Sequence, residues 1–297
     1  MYEAITFETQ LRVEIFSGVF LLMALWEALA PKRRLTVSKT GRWGNNIGII
    51  LLDTLLVRLL LPGAGVALAA AAENADWGVL RHLPLGFWGK TAIAILFLDL
   101  VVYLQHLMFH ATPLLWRLHM MHHADMDIDV TTGLRFHPIE ILISMGIKLS
   151  AIAVIGPTIA AVIAFEIILN ATAMFNHGNI RLPAGIDRML RLLVVTPDMH
   201  RVHHSVVIRE TNSNFGFNFP WWDRLFGTYR AQPVRGHTDM TIGLAQFRDP
   251  GRITLLHLIM LPFTGDPGGY SLNRLGRDPE VLGGKIPDNE TEQPRKK

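Results

Sequence analysis

Five stretches of this chain are nearly free of polar residues, and each approaches the roughly 20 apolar residues that carry a helix across a bilayer. They cover residues 13–30, 47–72, 89–109, 139–155 and 158–175. Glu14 and Glu27 sit near the ends of the first. Asp53 and Arg58 interrupt the second and have to face protein or snorkel to the interface. Lys148 weakens the fourth, while Gly156 and Pro157 predict a tight hairpin between the last two. The first stretch follows an acidic segment and precedes no small-residue cleavage site, so it is expected to remain as an anchor. The pattern predicts an all-α integral-membrane bundle of four to five membrane helices or half-hairpins.

Composition agrees: half of the 297 residues are hydrophobic and only 18% are charged, and the mean hydropathy is +0.28. The net charge of +3 comes from a modest excess of Lys and Arg without a basic run long enough to suggest nucleic acid. Orientation follows from the loop holding Lys32, Arg33 and Arg34, with Lys39 and Arg42 close behind, because positive loops stay cytoplasmic. The N-terminus is then outside, and three crossings bring residue 119 to the cytoplasmic face. Beyond residue 181, Arg181, Arg188, Arg191, Arg201 and Arg209 mark a polar cytoplasmic cap. Three regions result: N-terminal membrane helices over 1–88, a histidine-bearing domain over 89–232, and a C-terminal extension over 233–297. Its last stretch, 283–297, is rich in Gly, Pro and charge and is expected to be disordered.

The polar residues left inside this pattern are mostly histidines. Asp99, Tyr103, His106 and His110 recur at i, i+4, i+7 and i+11, a single polar stripe down the third stretch. His119, His122 and His123 then form HxxHH, and His200, His203 and His204 repeat it. Each triplet, on a helix, is expected to project its three imidazoles toward a common point. Isolated histidines such as His82 and His257 read as hydrogen-bonded structural residues, but eight clustered rings without a metal would leave buried nitrogens unpaired. With no cysteine, any metal here is held by nitrogen and oxygen. Thr112-Pro113 and Thr196-Pro197 supply the same helix-start signal ahead of both triplets. The second triplet then lies near a positive helix end, which favours the neutral, metal-binding imidazole. His177 closes the fifth stretch at the depth where the clusters meet. His137, followed by Pro138, reads as a helix start or as a further ligand, and Asp223 as a group orienting a ligand histidine.

The order HxxxH, HxxHH, RxHPxE over Arg135 to Glu140, a late single His, HxxHH and WDxLFGTY over Trp222 to Tyr229 resembles the fatty acid hydroxylase or sterol desaturase superfamily of integral-membrane di-iron enzymes. The resemblance covers 99–229 closely and the first two spans loosely. Leu107 and Asn212 depart from it, standing where an arginine and an aspartate are frequent. It implies two iron ions in the cap, held by His106, His110, His119, His122, His123, His177, His200, His203 and His204. It further implies O₂ as co-substrate and attack on an unactivated C–H bond of a membrane lipid, ending in hydroxylation or desaturation. Asp99, Tyr103, Glu140 and Asp223 would stand behind the ligands or along the substrate channel.

Other chemistries find less support. Neither the Glu with Glu-x-x-His signature of soluble di-iron bundles nor an HExxH protease motif occurs. Zinc has no redox change to offer C–H cleavage. The Pro267-Gly268-Gly269 run lacks the histidine of a cytochrome b5 motif, and no GxGxxG is present, so electrons are expected from a separate ferredoxin, cytochrome or reductase. A histidine-based metal transporter or sensor is the competing function; it requires ligands spread through the membrane depth.

Overall fold

Helices account for every regular element of the described residues, which in this computed structural model are 2–274. In chain order, α1 (Tyr2–Leu29), α2 (Lys39–Leu60) and α3 (Ala64–Asn74) precede α4 (Phe87–Ala111), and α5 (Pro113–His123) leads to α6 (Pro138–Ile155) and α7 (Ile159–Asn176). Six short helices follow: α8 (Ala184–Leu190), α9 (Pro197–His203), α10 (Ile208–Thr211), α11 (Trp221–Phe226), α12 (Gly236–Asp239) and α13 (Leu255–Thr264). The segment expected to be disordered, 283–297, lies outside the described residues.

Four segments are long and apolar enough to cross a membrane: Lys39–His82, Phe87–Ala111, Pro138–Ile155 and Ile159–Asn176. The second expected span is therefore not one helix. Pro62 cannot continue a helical hydrogen-bond ladder and Gly63 takes a left-handed φ of 62°, so the segment breaks into α2 and α3. The first expected span forms a helix of 28 residues but is not among the four, since Arg12, Glu14 and Glu27 lie within it. Glu14 is exposed and accepts from Gln10 on the same helix, while Arg12 and Glu27 have partners inside the bundle. Arg12 Nη1 meets Glu166 Oε2 at 2.6 Å, and Glu27 Oε1 accepts from the backbone N–H groups of Val130 and Asn179. Lys148 Nζ pairs with the other Glu166 oxygen. Asp53 faces protein and Arg58 is exposed in the last turn of α2.

α3, α4, α6 and α7 share a core built from Ala94, Leu98, Ile152, Val162 and Phe165. Outward, Leu51, Leu55, Leu59, Leu104 and Val154 remain exposed, as lipid-facing residues must. The expected hairpin forms at Gly156 (φ 57°), where a Cβ would collide with the Trp77 carbonyl, and Thr158 caps α7 by accepting from Ala161 N.

Helix direction gathers the chemistry at one end. The last turns of α4 and α7 and the first turns of α2 and α6 lie together there, and α5 and α9 close over them. The basic loop after α1 is strapped to this cap: Lys32 Nζ lies 2.7 Å from Asp198 Oδ2, and Arg33 donates to the carbonyls of His237 and Met240. The cap's arginines are less available than their number suggests. Arg191 and Arg201 are buried against Asp187 and Asp198, leaving Arg181, Arg188 and Arg209 exposed among the five.

Candidate metal centre

Nine buried histidines converge in two adjoining groups. His106, His110, His119, His123 and His203 form one; His122, His177, His200 and His204 form the other, the ring nitrogens of each group lying within 4.8 Å of one another. The groups touch, with the His123 and His204 rings 4.7 Å apart. Each triplet is thus divided rather than aimed at a single point. Neighbouring residues on a helix differ by about 100° in direction, whereas i and i+4 share a face. His119 and His123 consequently enter the first group while His122 turns to the second. At α9, His200 and His204, the residue that closes the helix, serve the second group and His203 the first.

The rings are held from behind. Nδ1 of His106 donates to the Phe215 carbonyl at 2.9 Å, of His122 to Arg135 O, of His177 to Ala173 O at 2.7 Å and of His203 to Ser213 O. Two use side chains instead: His119 Nδ1 donates to Glu140 Oε1 at 2.7 Å and His110 Nδ1 to Asn212 Oδ1 at 3.1 Å. A proton fixed on Nδ1 leaves a bare lone pair on Nε2. Those of His106, His110, His119 and His203 are buried without any partner. Nε2 of His122 and His177 face each other at 3.2 Å, lone pair to lone pair. Such a set is costly unless cations sit among it. The donor set, all imidazole and without thiolate, fits a pair of iron ions.

Burial, and after it the neighbouring rings, push His122, His123, His200, His203 and His204 well below the usual histidine range; burial first, with His119 behind it, brings His177 down to about 4 against the Ala173 carbonyl and Asp125. The neutral form thus comes from burial. A helix dipole contributes little in α9, only 7 residues long and with His203 in its last turn. Thr196 caps α9 by accepting from Met199 N, but Thr112 makes no side-chain cap, so Pro113 alone marks the start of α5.

A cavity of about 200 Å³ opens beside the rings, between α4, α6 and α7. His106, His119, His122 and His200 wall its inner end, and Leu98, Val102, Met145, Phe165 and Leu169 make it apolar farther into the bundle.

A sequence model of the fatty acid hydroxylase family matches residues 91–228, the interval that holds all nine histidines. The chain belongs to the fatty acid hydroxylase/sterol desaturase superfamily. It is 26% identical over 256 residues to ornithine lipid hydroxylase OlsE of Rhizobium tropici, covering 80% of this chain and 73% of that protein. It is also similar to alkylglycerol monooxygenases, at 26% identity over 218 residues in Homo sapiens and 30% over 209 in Danio rerio. Those matches cover 65% and 62% of this chain but 46% of each relative, so the chain spans under half their length. No solved structure matches it. The family is one of membrane di-iron-type oxidases acting on lipids, and this member carries the corresponding binuclear histidine site.

Around that superfamily site, the other sequence candidates take distinct places. Glu140 lines the cavity and fixes His119. Asp223 touches no histidine; it accepts from the backbone of Phe215 and Gly216, 2.8 Å each, and so holds the Phe215 carbonyl that orients His106. Burial raises its carboxyl to about 6 against those donors. Tyr103 reaches the same assembly through Thr228, whose hydroxyl donates to Asp223. Asp99 accepts from Trp222 Nε1 at 2.8 Å and Asn218 N, and neither it nor Tyr103 lines the cavity. His137 stands outside both groups. Its Nδ1 accepts from Ile139 N to cap α6, and its Nε2 donates to Ile259 O of α13.

Sequence reasoning missed the acidic run after α5. Asp125, Asp127 and Asp129 are buried, and Arg42 of α2 clasps Asp125 through Nε (2.6 Å) and Nη2 (2.8 Å) and Asp129 through Nη1 (2.7 Å). Burial opposes the Asp125 charge, but Arg42, then Arg135 and Thr132, carry its carboxyl down to about 2. The signal was present: three alternating aspartates in an uncharged neighbourhood require cationic partners.

Proposed function

We propose that the protein hydroxylates a membrane lipid with O₂, the nine imidazoles holding two iron ions. The observation that carries this reading is the cavity, walled by histidine rings at one end and lined mostly by apolar side chains elsewhere, with Gln105, Ser144 and Lys148 among them. Bound iron would supply the redox change that C–H cleavage and O₂ reduction require. This chain's residues do the positioning. Glu140, Asn212 and four backbone carbonyls fix ring orientation, and the apolar walls exclude water and align a lipid chain beside the rings. Hydroxylation is favoured over desaturation by the relatives, named hydroxylases or monooxygenases, and their names point to a lipid with a polar head. The grouping of the rings beside one cavity favours this chemistry over metal transport.

Two electrons per turnover come from a separate ferredoxin, cytochrome or reductase, and the exposed Arg181 and Arg209 offer it basic residues on the cap. Lys32, Arg33, Arg34 and Lys39 belong to the histidine-bearing end, which supports a cytoplasmic site and an outside N-terminus. The test is turnover in nanodiscs made from cellular lipid extract, with iron, reductant and ¹⁸O₂. One lipid class is expected to gain a single ¹⁸O atom, and a double variant, His203→Ala with His204→Ala, to produce none. Product formed equally by the double variant, or without the isotope, would sink the reading.

A further inference from the structure

A band of exposed apolar residues crosses the part of the cap made by α8 and α11. Ile186, Met189, Leu192, Leu193, Leu225 and Phe226 are all exposed, Leu225 at 69% and Leu193 at 64%. They form one surface because Trp221 Nε1 donates to Leu192 O at 2.7 Å and Arg224 Nη2 to Arg191 O at 3.1 Å. Two exposed arginines border the band, Arg188 and Arg224, the latter over the Tyr229 ring, and long basic side chains of this kind can snorkel to headgroup level. A continuous apolar surface of this kind is unusual on a face that meets water.

The depth of α11 can be measured along α4. Trp222 bonds Asp99 and Phe226 stacks on Tyr103 at 5.4 Å, so α11 lies beside the middle of that span and not beyond its end. At the far end of the bundle Trp77, Phe87 and Trp88 are exposed, as residues of an interfacial aromatic belt are. Counting from Trp88, a hydrocarbon core of about 30 Å takes up about 20 residues of helix and ends near Met108. On that scale Tyr103 lies about 8 Å, and Asp99 about 14 Å, inside the hydrocarbon boundary.

We propose that the α8–α11 rim is sunk into the bilayer, with acyl chains of the histidine-side leaflet covering its apolar band. The histidine groups, attached at His106 and His110, then sit at the headgroup boundary of that leaflet, and the cavity runs from those rings down into the hydrocarbon beside Leu98 and Val102. A lipid can reach the rings by moving sideways within its own leaflet, without being lifted into water.

The chain has no cysteine, which makes single-site spin labelling direct. Leu225→Cys and Leu192→Cys are labelled with a nitroxide in proteoliposomes. Leu104→Cys, exposed on α4, is the lipid reference, and Arg209→Cys, exposed on the cap, the water reference. Collision rates with O₂ and with a water-soluble nickel chelate are compared. The expected oxygen-to-nickel ratio at both rim sites is close to that of Leu104→Cys and several-fold above that of Arg209→Cys. A ratio nearer the water reference overturns the proposal. So do low rates with both quenchers, which would place a second copy of the chain over the rim. Met189→Cys, on the same surface, carries the test should either rim variant not fold.

Discussion

Glu140 and Asn212 are the two side chains that aim ligand rings, and they separate orientation from ligation. Glu140→Gln keeps the shape but exchanges a charged acceptor for a neutral amide behind His119. Iron affinity is expected to fall about 10–100-fold, read by iron retained on titration with a chelator. At position 212 the familial aspartate is replaced, yet the amide oxygen does the same work for His110. Asn212→Asp is therefore expected to hold iron as well as the parent, and Asn212→Ala to lose it with the range given for Glu140. Asp125 provides the pH signature. Its folded pKa of about 2 lies below the unfolded value of about 3.9, so the Arg42 clasp stabilises fully above about pH 4 and is lost as pH falls through about 2. Asp125→Asn should lower the thermal midpoint at pH 7, and the gap from the parent should close near pH 2.

At the scale of elements, close backbone approach is what sets the second histidine group. A Cβ on Gly133 would lie 2.6 Å from Ala173 O and 3.1 Å from His177 Nδ1, the two atoms of the hydrogen bond that orients His177. Gly133→Ala should lower iron content from two ions toward one, whereas Gly146→Ala, with open space around it, should leave the content unchanged. The long apolar runs and the histidine spacing were legible in the sequence because each depends on local periodicity. The break at Pro62-Gly63 was also written there, though hidden by continuous hydropathy. The division of each triplet follows from helix geometry but needs two facing helices to become visible. What could not be read were the long-range contacts: Asp223 acting through the Phe215 backbone, His137 tied to α13, and Arg42 reaching 83 residues ahead to Asp125.

For the whole molecule, the bundle and the cap are halves of one device. α4 and α7 end in the rings they carry, α6 begins with the carboxylate that aims one of them, and the cavity runs between these three helices. The basic loop after α1 and the clasp from α2 lock the cap onto that end. In the proposed function, two metals share the nine imidazoles that this arrangement brings together. The direct test is ⁵⁷Fe loading of the purified chain followed by iron analysis and Mössbauer spectroscopy. Two irons per chain are predicted, appearing after oxidation as a magnetically coupled pair. A single iron, or two that remain uncoupled, would contradict the account.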